Sequence, residues 1–253
     1  MPEHLSIASI AENIRCIQEK ISTATHRSGR SHDEVKLMAV SKMQTATAIS
    51  EAFAAGVRLF GENRVQEFQQ KLKDLNTLGV LVADSSGGDG NAAEVHLIGH
   101  LQSNKATRAA ELFTAVDTVD SLKLALRLDE AAGKLEKRLP VLIEIKLSEE
   151  AAKTGFEPES AELMELLDRF SDMKHIQMRG LMTVPPFDEN PEIARICFRH
   201  LRQLREQLAA RYDRLDFSEL SMGMSGDFEI AVEEGSTLVR VGTAIFGSRP
   251  KPA

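Results

Sequence analysis

Lys42 lies just beyond the apolar run Val35-Lys36-Leu37-Met38-Ala39-Val40 and just before a helical pattern, so its amine sits at the mouth of a buried strand. An ammonium group is costly there unless its charge is used or its pKa is lowered. An amine in that setting suits a Schiff base with an aldehyde. The bland alternative is a lysine that snorkels from a strand end into water. A second constellation lies far along the chain. Ser225-Gly226-Asp227 opens a helical pattern whose first N–H groups favour an anion, and Gly242-Thr243 offers bare backbone beside a hydroxyl. Ser225 as a plain helix N-cap is the competing reading. An amine on one side and an anion site on the other suggest a phosphorylated aldehyde between them.

The elements that must position these residues alternate along the chain. Ile7, Ile10, Ile14, Ile17 and Ile21 recur at steps of three and four, which predicts an amphipathic helix over about 5–25. Strand patterns follow at 35–40, 59–60, 95–98, 115–119, 141–145, 176–182, 217–220 and 238–245. A helical pattern separates each pair, with Ser121 and Ser160 as N-caps and Pro191 in a first turn after Asn190. Eight alternating units in 253 residues predict an α/β chain, a single closed (β/α)8 barrel spanning 1–253. A doubly wound open sheet is the rival arrangement. No helical pattern follows the eighth strand, so the opening helix is expected to cover that gap. In such a barrel chemistry gathers at strand ends: Lys42, Glu62-Asn63-Arg64, His100, Asp120, Lys146, Thr183, 221–225 and 240–243. Glu62 is expected to pair with Arg64 or Lys42.

Composition removes other classes. A net charge of −7 argues against a nucleic-acid or anionic-membrane surface as the main business. The hydrophobic share is 42% and no apolar stretch approaches bilayer length. The start of the chain does not read as a signal peptide. The two cysteines, Cys16 and Cys197, fall in helical patterns and read as small core residues, which favours a reducing, cytoplasmic location. The glycine-rich stretch at 85–90 reads as a surface loop without chemistry.

Several blocks then carry a resemblance. Ala39-Val40-Ser41-Lys42, Phe60-Gly61-Glu62-Asn63-Arg64-Val65-Gln66-Glu67 and His96-Leu97-Ile98-Gly99-His100-Leu101-Gln102-Ser103-Asn104-Lys105 resemble the pyridoxal phosphate homeostasis proteins. So do Arg179-Gly180-Leu181-Met182, Leu220-Ser221-Met222-Gly223-Met224-Ser225 and the run from Gly235 to Gly247. The match runs in order over almost the whole chain. It implies a barrel similar to the N-terminal domain of alanine racemase: a TIM-type barrel with the type III pyridoxal-phosphate fold, lacking the C-terminal β domain. It implies pyridoxal phosphate as cofactor, held as an aldimine on Lys42, with Ser225, Gly226, Gly242 and Thr243 as phosphate cradle. It also implies Arg240 against the pyridine nitrogen, with Asn63 and Met222 lining the ring. Relatives often carry a lysine where this chain has Gln44, and many an asparagine where it has Lys146; Lys153 matches the pattern.

A racemase needs a second acid or base opposite the lysine. Racemases similar in fold bring a tyrosine from the partner's β domain, whereas the single tyrosine here, Tyr212, ends a helical pattern. His100 reads as a structural or pocket-wall histidine. The expectation is a non-catalytic, monomeric carrier that supplies pyridoxal phosphate to apo-enzymes. A type III pyridoxal-phosphate enzyme and a Schiff-base aldolase remain as alternatives.

Overall fold

Ser9 starts the first helix by a reciprocal cap. Its hydroxyl accepts from the Glu12 N–H at 3.2 Å, and Glu12 Oε2 accepts from the Ser9 N–H at 2.8 Å. The helix so begun, α1 (Ile10–Arg27), buries Ile14, Ile17, Ile21 and Ala24 along one stripe. Cys16 sits beside that stripe and is exposed, so it is not the core residue its apolar neighbours suggest. Cys197 is buried. The computed structural model describes residues 9–83, 91–148, 154–186 and 188–247, so the loop at 85–90 and Lys153 lie outside the described residues.

Eight parallel strands follow: β1 (Lys36–Val40), β2 (Leu59–Glu62), β3 (Glu94–Leu97), β4 (Ala115–Val119), β5 (Leu139–Glu144), β6 (Ile176–Met182), β7 (Glu219–Ser221) and β8 (Leu238–Val241). They close in sequence order, with β8 pairing β1 through Met38 and Arg240. The α/β barrel expected from alternation is therefore the fold, and the open-sheet rival is excluded by that closing pair. Between strands run α2 (Ala46–Ala54), α3 (Val65–Thr77), α4 (Ala106–Leu112), α5 (Leu122–Lys134), α6 (Ala161–Arg169), α7 (Pro191–Arg211) and α8 (Phe228–Glu233). Thr45, Ser121, Ser160 and Asn190 cap four of them by accepting N–H bonds.

Residues two apart on a strand share a face, so Met38, Val40 and Lys42 turn one way while Ala39 and Ser41 turn the other. Gly61 marks the inner side. A Cβ there would meet Met38 Sδ at 2.7 Å and Ile98 Cδ1 at 2.8 Å, so the barrel interior closes over bare backbone. The outer faces, Ala39 and Phe60 among them, pack against the helices in one core.

The sequence pattern shifts several strand ends by one or two residues, β5 and β7 among them, and misplaces two boundaries near the site. Strand β8 stops at Val241 rather than running to 245, and the chain turns at Gly242 into a one-turn helix, α9 (Thr243–Phe246). The opening helix does cover this seam: α1 packs on α8, α9 and α2, and Asn13 Nδ2 donates to the Ile245 carbonyl at 2.9 Å. The helix expected from Ser225 begins at Phe228, after a turn over 225–227. Among the described residues no helix is long and apolar enough to cross a membrane.

Candidate functional site

A pocket of about 700 Å³ opens where the strands end. Its lining includes Lys42, Asn63, Ser225, Gly226, Arg240, Gly242 and Thr243, from the ends of β1, β2, β7 and β8. Gln44 also lines it. Met222 does not: its side chain is fully buried in the core below, and Met224 takes the place on the wall. The reason is local. Gly223, at φ +95°, turns the chain after Met222, and a Cβ there would meet Ala231 Cβ at 2.5 Å. That turn sends Met222 inward and Met224 out.

The anion side is built from main-chain donors. Ser225 Oγ accepts from the N–H groups of Gly242 at 3.2 Å and Ala244 at 3.3 Å. Ser225 is thus no helix N-cap; Asp227 holds that place and accepts from the Met224 N–H at 2.5 Å. Gly226 faces open space, for a Cβ would meet nothing within 4 Å. At Gly242 a Cβ would press on the Val40 carbonyl at 3.3 Å, two residues before Lys42. The Ser225 hydroxyl, which accepts from both N–H groups and keeps its own proton to donate, forms with the Thr243 hydroxyl and the bare backbone a cradle suited to phosphate oxygens.

Arg240 reaches the pocket from inside the barrel and is only 3% exposed. Nη1 donates to Ser221 Oγ at 2.7 Å and Nη2 to the Thr183 carbonyl at 2.8 Å, which fixes the guanidinium plane. Burial pushes its pKa down, while the charges of Asp117, Asp227 and Glu144 push the other way. Arginine nevertheless stays cationic near neutrality. Glu144 is nearly buried and accepts from Thr154 Oγ1 at 3.0 Å; burial, then Asp120, raises its carboxyl above the usual value.

Glu62 does not pair with Arg64 or Lys42. Its alternation turns it outward, where Oε1 accepts from Ser41 Oγ at 2.7 Å and Lys71 Nζ at 2.9 Å. Lys71 lies outside the motif blocks, and Glu67 ends one of them without a role. Their i,i+4 spacing on α3 was the available signal. His100 is half exposed and bonded through Nδ1 to Asp120 at 2.8 Å. Lys146 pairs with Glu157 at 3.2 Å. Neither His100 nor Lys146 lines the pocket. Tyr212 caps α7 and donates to Asp168 at 2.9 Å in the helix shell.

Residues 5–250 match the family described as alanine racemase, N-terminal domain. The chain is 42% identical over 241 residues to the pyridoxal phosphate homeostasis protein of Vibrio cholerae serotype O1, covering 95% of this chain and 97% of that one. The chain belongs to the pyridoxal phosphate homeostasis proteins within that family. The protein of the same name from Escherichia coli strain K12 is 42% identical over 244 residues, covering 95% of this chain and 97% of its own. Among solved structures, PipY of Synechococcus elongatus PCC7942 with PLP bound has a TM-score of 0.80 at 38% identity, covering 94% of this chain and all of PipY. Alanine racemase of Clostridium difficile 630 is similar in fold, with a TM-score of 0.66 at 16% identity over 94% of this chain and 57% of that one. The likeness to the racemase is one of fold and extends over 57% of its length.

Proposed function

We propose that this protein binds pyridoxal phosphate through a covalent link to Lys42 and keeps it available for apo-enzymes. One observation carries the reading: Lys42 and Arg240 line the same pocket as Ser225, Gly226, Gly242 and Thr243. PipY, 38% identical, has been solved with PLP bound, which supports it. When bound, the group supplies an electrophilic aldehyde and an electron-accepting ring. The residues do the rest. Lys42 offers the nucleophilic amine, Ser225 and Thr243 with the main-chain donors bind phosphate oxygens, and Gly226 and Gly242 admit them without a clash. Asn63 forms part of the wall.

We assign Arg240 to the ring nitrogen. A fixed, permanently charged donor offers that atom a hydrogen bond and no transferable proton, which leaves the ring a weak electron sink. This favours holding over turnover, as does Tyr212, whose hydroxyl is tied to Asp168. We place the protein in the cytoplasm, in keeping with two cysteines that form no disulfide among the described residues, and as a monomer.

The test is direct. Purified protein is mixed with pyridoxal phosphate, reduced with borohydride and mapped by peptide mass; the label is expected on Lys42. The loaded protein is then mixed with an apo pyridoxal-phosphate enzyme, whose activation is timed against free pyridoxal phosphate at equal concentration. A label on another residue, or on none, overturns the reading. Activation no different from that after a filtration control without protein overturns the supply role alone.

A further inference from the structure

The turn that carries Lys42 is held in a conformation its own residues do not favour. The Gln44 N–H donates to the Ser41 carbonyl at 3.0 Å, closing a four-residue turn with Lys42 and Met43 at its centre. Met43 stands at φ +60°, the left-handed region that glycine and asparagine enter easily and a long side chain does not. Such strain persists only where surrounding contacts impose it, and it gathers at functional sites.

Those contacts come from one ionic cluster on the outer side of the barrel. Lys71 Nζ donates to the Ser41 carbonyl at 3.0 Å, to Glu62 Oε1 at 2.9 Å and to Glu67 Oε1 at 2.7 Å. Glu67 Oε1 in turn accepts from the Met43 N–H at 2.5 Å. The two peptide groups that flank Lys42, one on each side, are therefore both fastened to the same α3 pair. The cluster is well shielded, with the Lys71 side chain 12% exposed and Glu62 fully buried. Burial works to raise the Glu67 carboxyl, but the Lys71 ammonium and the Met43 N–H together outweigh it and hold the group below its usual value.

We propose that Glu67 and Lys71 are positioning residues for Lys42: by clamping both neighbouring peptides they hold the strained turn that aims the amine into the pocket. The inference rests on the reading of Lys42 as the covalent anchor and adds what makes that anchor competent. Neither residue lines the pocket, so neither is expected to touch the ligand.

The variant of choice is Glu67→Ala. Removing Lys71 instead would leave Glu62 buried with its main compensation gone, and Glu62 Oε2 already lacks a partner among the described residues. Two probes separate positioning from general damage. Pyridoxal phosphate reports the covalent link, scored by borohydride labelling of Lys42. Pyridoxamine phosphate carries the same ring and phosphate without an aldehyde, and reports the cradle. In Glu67→Ala the covalent equilibrium constant is expected to fall on the order of tenfold, with pyridoxamine phosphate binding and melting temperature within twofold and a few degrees of the parent. Adding Met43→Gly, which relieves the left-handed strain, is expected to recover most of the lost labelling. Equal loss for both probes, or unchanged labelling, overturns the clamp. A failure of Met43→Gly to recover any labelling overturns the strain argument behind it. A parent protein that takes no label at Lys42 sinks the proposed function itself, a result distinct from either.

Discussion

At the residue scale, the pocket divides its work between one amine and a set of donors that meet at Ser225. Lys42→Ala is expected to abolish borohydride labelling while circular dichroism and melting remain those of a folded barrel, because the side chain is half-buried at a strand mouth. Loss of folding would show instead that the lysine is structural. Ser225→Ala with Thr243→Val removes two hydroxyls from the cradle. At roughly 1.5–3 kcal/mol for each hydrogen bond to a charged group, pyridoxal phosphate retention, measured by dialysis, should fall by at least tenfold with labelling of Lys42 preserved at saturation. Affinity untouched by the pair would remove the phosphate assignment. Lys42 stood out because a charge follows directly on an apolar strand pattern, whereas the place of Arg240 against the ring came only with the family resemblance; both line the pocket. Met222 was not, since only the φ of Gly223 decides which methionine faces the pocket. Nor was the partner of Glu62: strand alternation turns it outward, and the Lys71 that meets it depends on how α3 lies against β1 and β2.

At the element scale, α1 closes the ring where β8 has only a single helical turn after it. Ile21 is 1% exposed beneath that helix. Ile21→Ala should cost about 2–5 kcal/mol, read as a lower urea midpoint at unchanged slope. A cost under about 1 kcal/mol would mean that the seam can collapse around the deletion. The stripe of isoleucines announced this helix from spacing alone, yet Cys16 lies at its edge and reaches solvent. A step of three or four marks a face, not its width. The end of β8 was illegible for a different reason. Val241, Ala244, Ile245 and Phe246 form an apolar run that fits a strand or a helical turn equally, and only the backbone turn at Gly242 separates them. The competing reading of Ser225, a plain N-cap, rests on residue type alone; the structure gives that place to Asp227 and turns the hydroxyl to Gly242 and Ala244.

At the scale of the whole molecule, the barrel interior is charged rather than filled by apolar layers throughout. His96 pairs with Asp117 at 3.0 Å with only 12% of its side chain exposed. Burial acts to lower the His96 pKa, but the Asp117 charge and hydrogen bond, with Glu219 and Glu94, outweigh it and hold the group above 6.5. A raised folded pKa favours the protonated folded state. Its contribution is therefore fully present below pH 6.5 and is lost as pH rises through the folded value. The melting-temperature gap between the parent and His96→Gln should accordingly shrink between acid and mildly alkaline buffer. A gap that does not change with pH would mean that His96 titrates alike in the folded and unfolded chain, and a gap that widens as pH rises would mean that it is neutral when folded. The barrel itself was legible from eight alternating patterns, whereas its polar interior was not, because strand register decides which residues meet across it.

The closing pair of strands has a consequence for synthesis on the ribosome. The amine emerges with β1, but the guanidinium and the two amide donors opposite it are translated with β8 and the turn beyond. On the proposed assignment, a nascent chain presents the whole pocket only once its eighth strand has left the exit tunnel and paired with the first. On that reading a complete grip on the vitamin and a closed barrel arrive together, and a product of interrupted translation is expected to retain the vitamin poorly.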